Sequence, residues 1–195
     1  MRPTYQKLTK EGINDLPLRH YDGPVHLVSS LMDANRASDA LLKENVIGFD
    51  TETRPAFRKG EFYLPSILQL AGNDTIYIFQ LNKFGLCDSI IHILSNPDII
   101  KCGVALHRDL KELMQLSPFN PEAFIDLGEI ARQLDIPHHG LRGLVALLFG
   151  FRISKQARTS NWNAKKLSIK QITYAATDAW VGRELYFKFK DEHLL

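Results

Sequence analysis

A run of apolar residues that ends in two acids is the feature that most constrains this chain. Val46-Ile47-Gly48-Phe49 leads directly into Asp50-Thr51-Glu52-Thr53. The apolar run predicts a buried strand. Its period of two sends Asp50 and Glu52 to the same face, with Cα atoms about 6–7 Å apart, and turns Phe49 and Thr51 the other way. Two carboxylates on one face of a buried strand repel each other unless a cation neutralises them. The plain alternative is a polar strand end leaving the core.

A second acidic element stands near the carboxyl terminus. Ser168-Ile169-Lys170-Gln171 has the form of a capping box and opens a long helix. Within it Tyr174 and Asp178 are four residues apart, so they share a face one turn apart. Ala175, Ala176 and Ala179 surround them. Side chains that small let a helix approach a strand closely enough for a short Asp to reach acids on it, although alanine is also simply a good helix former. Asp109 follows the strand-like Cys102-Gly103-Val104-Ala105-Leu106 where a helix should begin, a position that the helix dipole alone favours. Asp126 is a competing acid, better read as the cap of a helix starting near Gly128.

The charge is unevenly spread. The chain carries 24 Lys and Arg against 22 Asp and Glu, a net of +2. Between Ile136 and Thr177 there is no acid, yet seven bases occur: Arg142, Arg152, Lys155, Arg158, Lys165, Lys166 and Lys170. The other 17 bases face all 22 acids, a balance of −5. Such a segment is either a solvated face or a surface that meets a polyanion. Ser160-Asn161-Trp162-Asn163 sets an aromatic plane and amides among the bases, which suits phosphate contact and base stacking, or anchors the loop to the core.

Along the chain, strands are expected at 25–28, 46–50, 64–71, 75–81 and 99–106, with a strand end at 124–126. Helices are expected after Ser29 or Ser30, at 86–95, 109–116, from 126 through 134, at 141–149, and from Ser168 onward. Residues 1–23 read as a loosely packed lead-in and 24–195 as a single domain. The order implies an α/β or α+β layered fold with a mixed sheet. The longest apolar stretch, 144–151, is eight residues and contains Gly150, too short for a membrane span. Cys87 and Cys102 have no CxxC spacing, which suits a reducing compartment. The first residues lack the apolar run of a secretory signal, so the expected location is the cytoplasm.

Phe49-Asp50-Thr51-Glu52-Thr53, Gly103-Val104-Ala105-Leu106-His107-Arg108-Asp109-Leu110 and Tyr174-Ala175-Ala176-Thr177-Asp178 together resemble the three motifs of the DEDD 3′–5′ exonucleases. Tyr174, four residues before the last Asp, is similar to the mark of the tyrosine subgroup. The stretch from Ser160-Asn161-Trp162 to Asp178 resembles the Werner-syndrome exonuclease domain and ribonuclease D group. The resemblance implies a ribonuclease H-like (DnaQ-like) mixed sheet flanked by helices. It also implies hydrolysis of nucleic acid from the 3′ end to nucleoside 5′-monophosphates with two divalent ions, Mg²⁺ or Mn²⁺. In that scheme Asp50 bridges the ions, Glu52 and Asp178 serve the ion on the water side, and Asp109 serves the second. Tyr174 orients the attacking water. Leu68, Leu70, Leu106 and His107 would border the terminal nucleotide, and Arg152, Lys155, Arg158 and Trp162 would meet the strand, which is DNA or RNA, single-stranded or the 3′ end of a duplex.

Two other readings make different predictions. Asp50-Thr51-Glu52-Thr53 distantly resembles the DxDxT motif of haloacid-dehalogenase-type phosphatases, which form an aspartyl-phosphate, but that leaves Tyr174 without a role. A domain that binds nucleic-acid ends without cutting would retain affinity and yield no shortened product.

Overall fold

The computed structural model describes residues 5–195. The elements run α1 (Lys10–Asp15), β1 (Val25–Val28), α2 (Leu31–Leu41), β2 (Val46–Glu52), β3 (Ile67–Ala71), β4 (Ile76–Gln80), α3 (Leu81–Phe84), α4 (Asp88–Leu94), β5 (Ile100–Gly103), α5 (Leu106–Leu116), β6 (Phe124–Asp126), α6 (Leu127–Gln133), α7 (Leu141–Phe149) and α8 (Ile169–Asp191). The six strands form one sheet in the order β1-β4-β3-β2-β5-β6. β2, β3 and β4 pair antiparallel, whereas β1–β4, β2–β5 and β5–β6 pair parallel.

Alternation along β2 separates two cores. Ile47 and Phe49 join Leu68, Leu70 and Phe79 under α2, α4 and α5 on one face. Val46 on the opposite face packs with α6, α7 and the distal half of α8. Ile67, Ala71, Ile76 and Ile78 meet the proximal half of α8 on that same side. The result is a mixed six-stranded sheet between helical layers, a ribonuclease H-like single domain. No helix among the described residues is long and apolar enough to cross a membrane.

α8 is 23 residues long and carries both halves of the expected capping box, Ser168 on the Gln171 amide and Gln171 back to Ser168. Ser30, not Ser29, caps α2. α5 begins at Leu106, earlier than the expected 109, and β5 stops at Gly103. The cause is local: Ala105 turns the chain with a φ of 65°, and Asp126 accepts hydrogen bonds from the Ala105 and Leu106 amides. β3 also starts later than expected, at Ile67.

The lead-in departs most from expectation, apart from residues 1–4, which lie outside the described residues. It contains α1, capped by Thr9, and is tied down along its length. Leu18 forms a parallel bridge with Arg152, reinforced by Arg19 N–H to the Arg152 carbonyl (2.9 Å) and Arg152 N–H to that of Pro17 (2.9 Å). The Tyr21 amide donates to Thr177 Oγ1 of α8 at 3.0 Å. Backbone donors paired in this way hold the segment against the domain rather than loosely beside it.

Candidate active site

α8 lies unusually close to β2. A Cβ on Gly48 would fall 2.1 Å from the Ala179 carbonyl oxygen, so only glycine permits this approach. Ala175, Ala176 and Ala179 are fully buried at the contact. Asp50 and Glu52 continue the Gly48 side of the strand, and Asp178 comes down from α8 onto them. Ligand oxygens of Asp50, Glu52 and Asp178 lie within 4.8 Å of one another. The structure thus brings together three of the four expected acids as a tight group.

The fourth, Asp109, stands in the first turn of α5 and outside that trio. Thr51, facing away from Asp50 and Glu52, donates its hydroxyl hydrogen to Asp109 Oδ1. Asp109 is still near enough for its charge to raise the pKa of both Asp50 and Glu52. Asp126 has a different task. Its carboxylate accepts from the Gly128 and Glu129 amides at the start of α6 as well as from Ala105 and Leu106. It caps two helices and thereby fixes the turn that presents Asp109.

Burial and mutual repulsion dominate the electrostatics. Burial, then the Asp178 and Asp109 charges, hold the Asp50 carboxyl well above the usual range. Burial, then the charges of Asp50, Asp178 and Asp109, push Glu52 up to about 10, against the pull of the Arg158 cation. Burial pushes Asp178 to about 7, opposed by the Tyr174 hydroxyl, and Asp109 to about 6, opposed by Thr51. Asp178 Oδ1 is buried without a hydrogen-bond partner among the described residues. A buried acceptor without a donor costs about 1–3 kcal/mol. Clustered hard oxygen donors with an orphaned acceptor among them fit divalent cations of the Mg²⁺ or Mn²⁺ kind.

Tyr174 is nearly buried, one turn before Asp178. Burial and then the Asp178 and Glu52 charges raise its pKa far above the ordinary phenol value. With the cluster free of metal it therefore stays protonated and is a hydrogen-bond donor.

Several expected nucleic-acid contacts are placed elsewhere. Leu70 pairs in register with Phe49, so it points to the face opposite Asp50, and it is fully buried; Leu68, opposite Thr51, shares that fate. Leu106 is 2% exposed in the same core. Trp162 is 0% exposed, tilted against Tyr174 with ring centroids 6.0 Å apart, and its Nε1 donates to the Arg158 carbonyl. These side chains are core, and Trp162 anchors the basic loop; none offers a face to a base. Arg152 spends its Nε on the Leu16 carbonyl at 3.0 Å. His107, Lys155 and Arg158 are exposed.

Two features of the site leave little mark on the sequence. Gln69, directly opposite Asp50, is fully buried with neither amide atom hydrogen-bonded among the described residues. A lone Gln inside Leu68-Gln69-Leu70 was its only sequence signal. Two cavities, of about 450 and 500 Å³, are each lined by Tyr174 and Asp178, with walls that include the lead-in.

A family model described as 3′–5′ exonuclease matches residues 25–193. The chain is similar to the mouse (Mus musculus) bifunctional 3′–5′ exonuclease/ATP-dependent helicase WRN, 27% identical over 90% of this chain and 13% of that protein. It is also similar to ribonuclease D of Gluconacetobacter diazotrophicus, 30% identical over 82% of this chain and 41% of the relative. It thus corresponds to a minor part of the length of these relatives. The exonuclease domain of Aedes aegypti Nibbler shares the fold, with a TM-score of 0.76 and 23% identity over 97% of this chain and 92% of that domain. With its three motif acids gathered where β2 meets α8, the chain belongs to the 3′–5′ exonuclease family.

Proposed function

We propose that the chain hydrolyses the 3′-terminal phosphodiester of a nucleic-acid strand and releases nucleoside 5′-monophosphates. The observation that carries this reading is the trio of half-buried Asp50 and buried Glu52 and Asp178, drawn to within 4.8 Å from two distant stretches of sequence. Asp50, Glu52 and Asp178, with Asp109 at the edge, would hold two divalent cations. Such cations supply charge neutralisation at the scissile phosphate and an acidified water at neutral pH. Tyr174, kept protonated by its acidic surroundings, donates a hydrogen bond that orients the attacking water. Thr51 fixes the Asp109 carboxylate from the far side of β2. Arg158, whose charge is felt at Glu52, stands where it can meet the backbone of the bound strand, and Lys155 and His107 are exposed for the same purpose.

Matched 5′-labelled single strands of DNA and RNA, each with Mg²⁺ or Mn²⁺, test the reading. A ladder that shortens from the 3′ end, and vanishes in chelator, is the expected result. Binding without any ladder under either metal would instead establish an end-binding module.

A further inference from the structure

The 500 Å³ cavity differs from its neighbour in charge. Lys10 of α1, Arg142 of α7, and Lys155 and Arg158 of the basic loop line it, and Asp178 is the only acid in its wall among the described residues; Tyr174 completes the link to the trio. Arg142 is the best-placed of the four. One guanidinium nitrogen donates to Asn14 Oδ1 of α1 at 2.6 Å, which fixes the group. Its Nε is buried and has no acceptor among the described residues. A guanidinium held at one nitrogen by Asn14 and lining a basic cavity is matched by a phosphate oxygen at its remaining N–H groups, because charge-assisted bonds to guanidinium are directional and strong.

We propose that this cavity seats a backbone phosphate on the 5′ side of the scissile bond, with Arg142 as principal ligand and Lys10 as a second. The assignment rests on the nuclease reading above. The scissile phosphate must lie at Asp50, Glu52 and Asp178, and the nucleotide beyond it ends in a hydroxyl. The next phosphate in reach therefore lies upstream. Residues 8–21 thereby become part of the substrate cleft: α1 supplies Lys10, Asn14 holds Arg142, and the Leu18–Arg152 bridge secures the segment to the basic loop.

The test compares two substrates across the unaltered chain, Arg142→Ala and Lys10→Ala. One is a single-stranded oligonucleotide; the other is the p-nitrophenyl ester of thymidine 5′-monophosphate, which has one phosphodiester and no upstream phosphate. Arg142→Ala should raise KM for the oligonucleotide about tenfold and reduce the salt slope of its binding by about 0.7, the value of one single-strand phosphate contact. Turnover of the ester should not change. Lys10→Ala should act in the same direction more weakly, and because Lys10 is exposed it decides the matter should Arg142→Ala fail to fold. An unchanged oligonucleotide KM and salt slope would overturn the proposal, as would equal losses on both substrates. If the unaltered chain cleaves neither substrate, the nuclease reading fails by itself. Fluorescence anisotropy of the labelled oligonucleotide then judges the seat: weaker binding by the variants supports it, and equal binding overturns it.

Discussion

Raising the pH of the metal-free chain should weaken its fold, and the carboxylate cluster sets the size of the effect. Asp109 moves from an ordinary 3.8 to about 6 and Asp178 from 3.8 to about 7, both chiefly through burial. A folded-state pKa raised above the unfolded one means that the native chain holds protons the unfolded chain has released. The stabilisation is fully present below about pH 4 and is lost as pH climbs through about 6 for Asp109 and about 7 for Asp178. Asp109 alone, shifted by about two pK units, accounts for about 3 kcal/mol at 1.36 kcal/mol per unit. That is a large share of the about 5–15 kcal/mol that holds most domains folded. Urea unfolding at about pH 4 and about pH 8, in chelator and in Mg²⁺, measures it. The midpoint in chelator should fall between the two pH values, and Mg²⁺ should remove most of the fall because the cation binds only the folded cluster. Asp178→Asn should show a smaller fall than the unaltered chain. An unchanged midpoint in chelator, or an identical fall with Mg²⁺, would refute the reasoning.

Three substitutions probe other parts of the account. Gly48→Ala places a methyl 2.1 Å from the Ala179 carbonyl, so α8 must move; a loss of about 1–3 kcal/mol in urea unfolding and a collapse of cleavage should appear together. Trp162→Ala empties a fully buried site and should destabilise by about 3–5 kcal/mol in urea unfolding. Asp178→Asn should abolish cleavage yet leave binding to a labelled strand measurable, since the cationic surfaces are untouched; normal turnover would dismiss its place among the metal ligands.

Where the chain's local chemistry decides the outcome, the sequence was sufficient. Alternation placed Asp50 and Glu52 together, the capping box fixed the start of α8, and helical spacing put Tyr174 beside Asp178. The parts it misassigned depend on partners far along the chain. Nothing in Leu70 shows that it will pair with Phe49 and so turn from the acids; that follows from the antiparallel register. The burial of Trp162 depends on α8 and on strands β3 and β4, which close over it. α5 begins early because Asp126, some twenty residues later, caps its first amides. The lead-in lacks a clear hydrophobic period, and its order comes from hydrogen bonds to Arg152, His138 and Thr177, all over a hundred residues away. Gly48 looks in the sequence like one more member of an apolar run, although its missing side chain is what admits α8.

Calorimetric titration of Mn²⁺ into the metal-free chain near neutral pH, repeated in buffers of different ionisation enthalpy, bears most directly on why these acids are gathered. Because Glu52 is held at about 10 and Asp178 at about 7, ion uptake must displace protons from the cluster. The expected result is uptake of two ions with net proton release, both lost in Asp50→Asn. No uptake, or uptake without proton release that survives Asp50→Asn, would contradict a metal-dependent hydrolase built on this cluster.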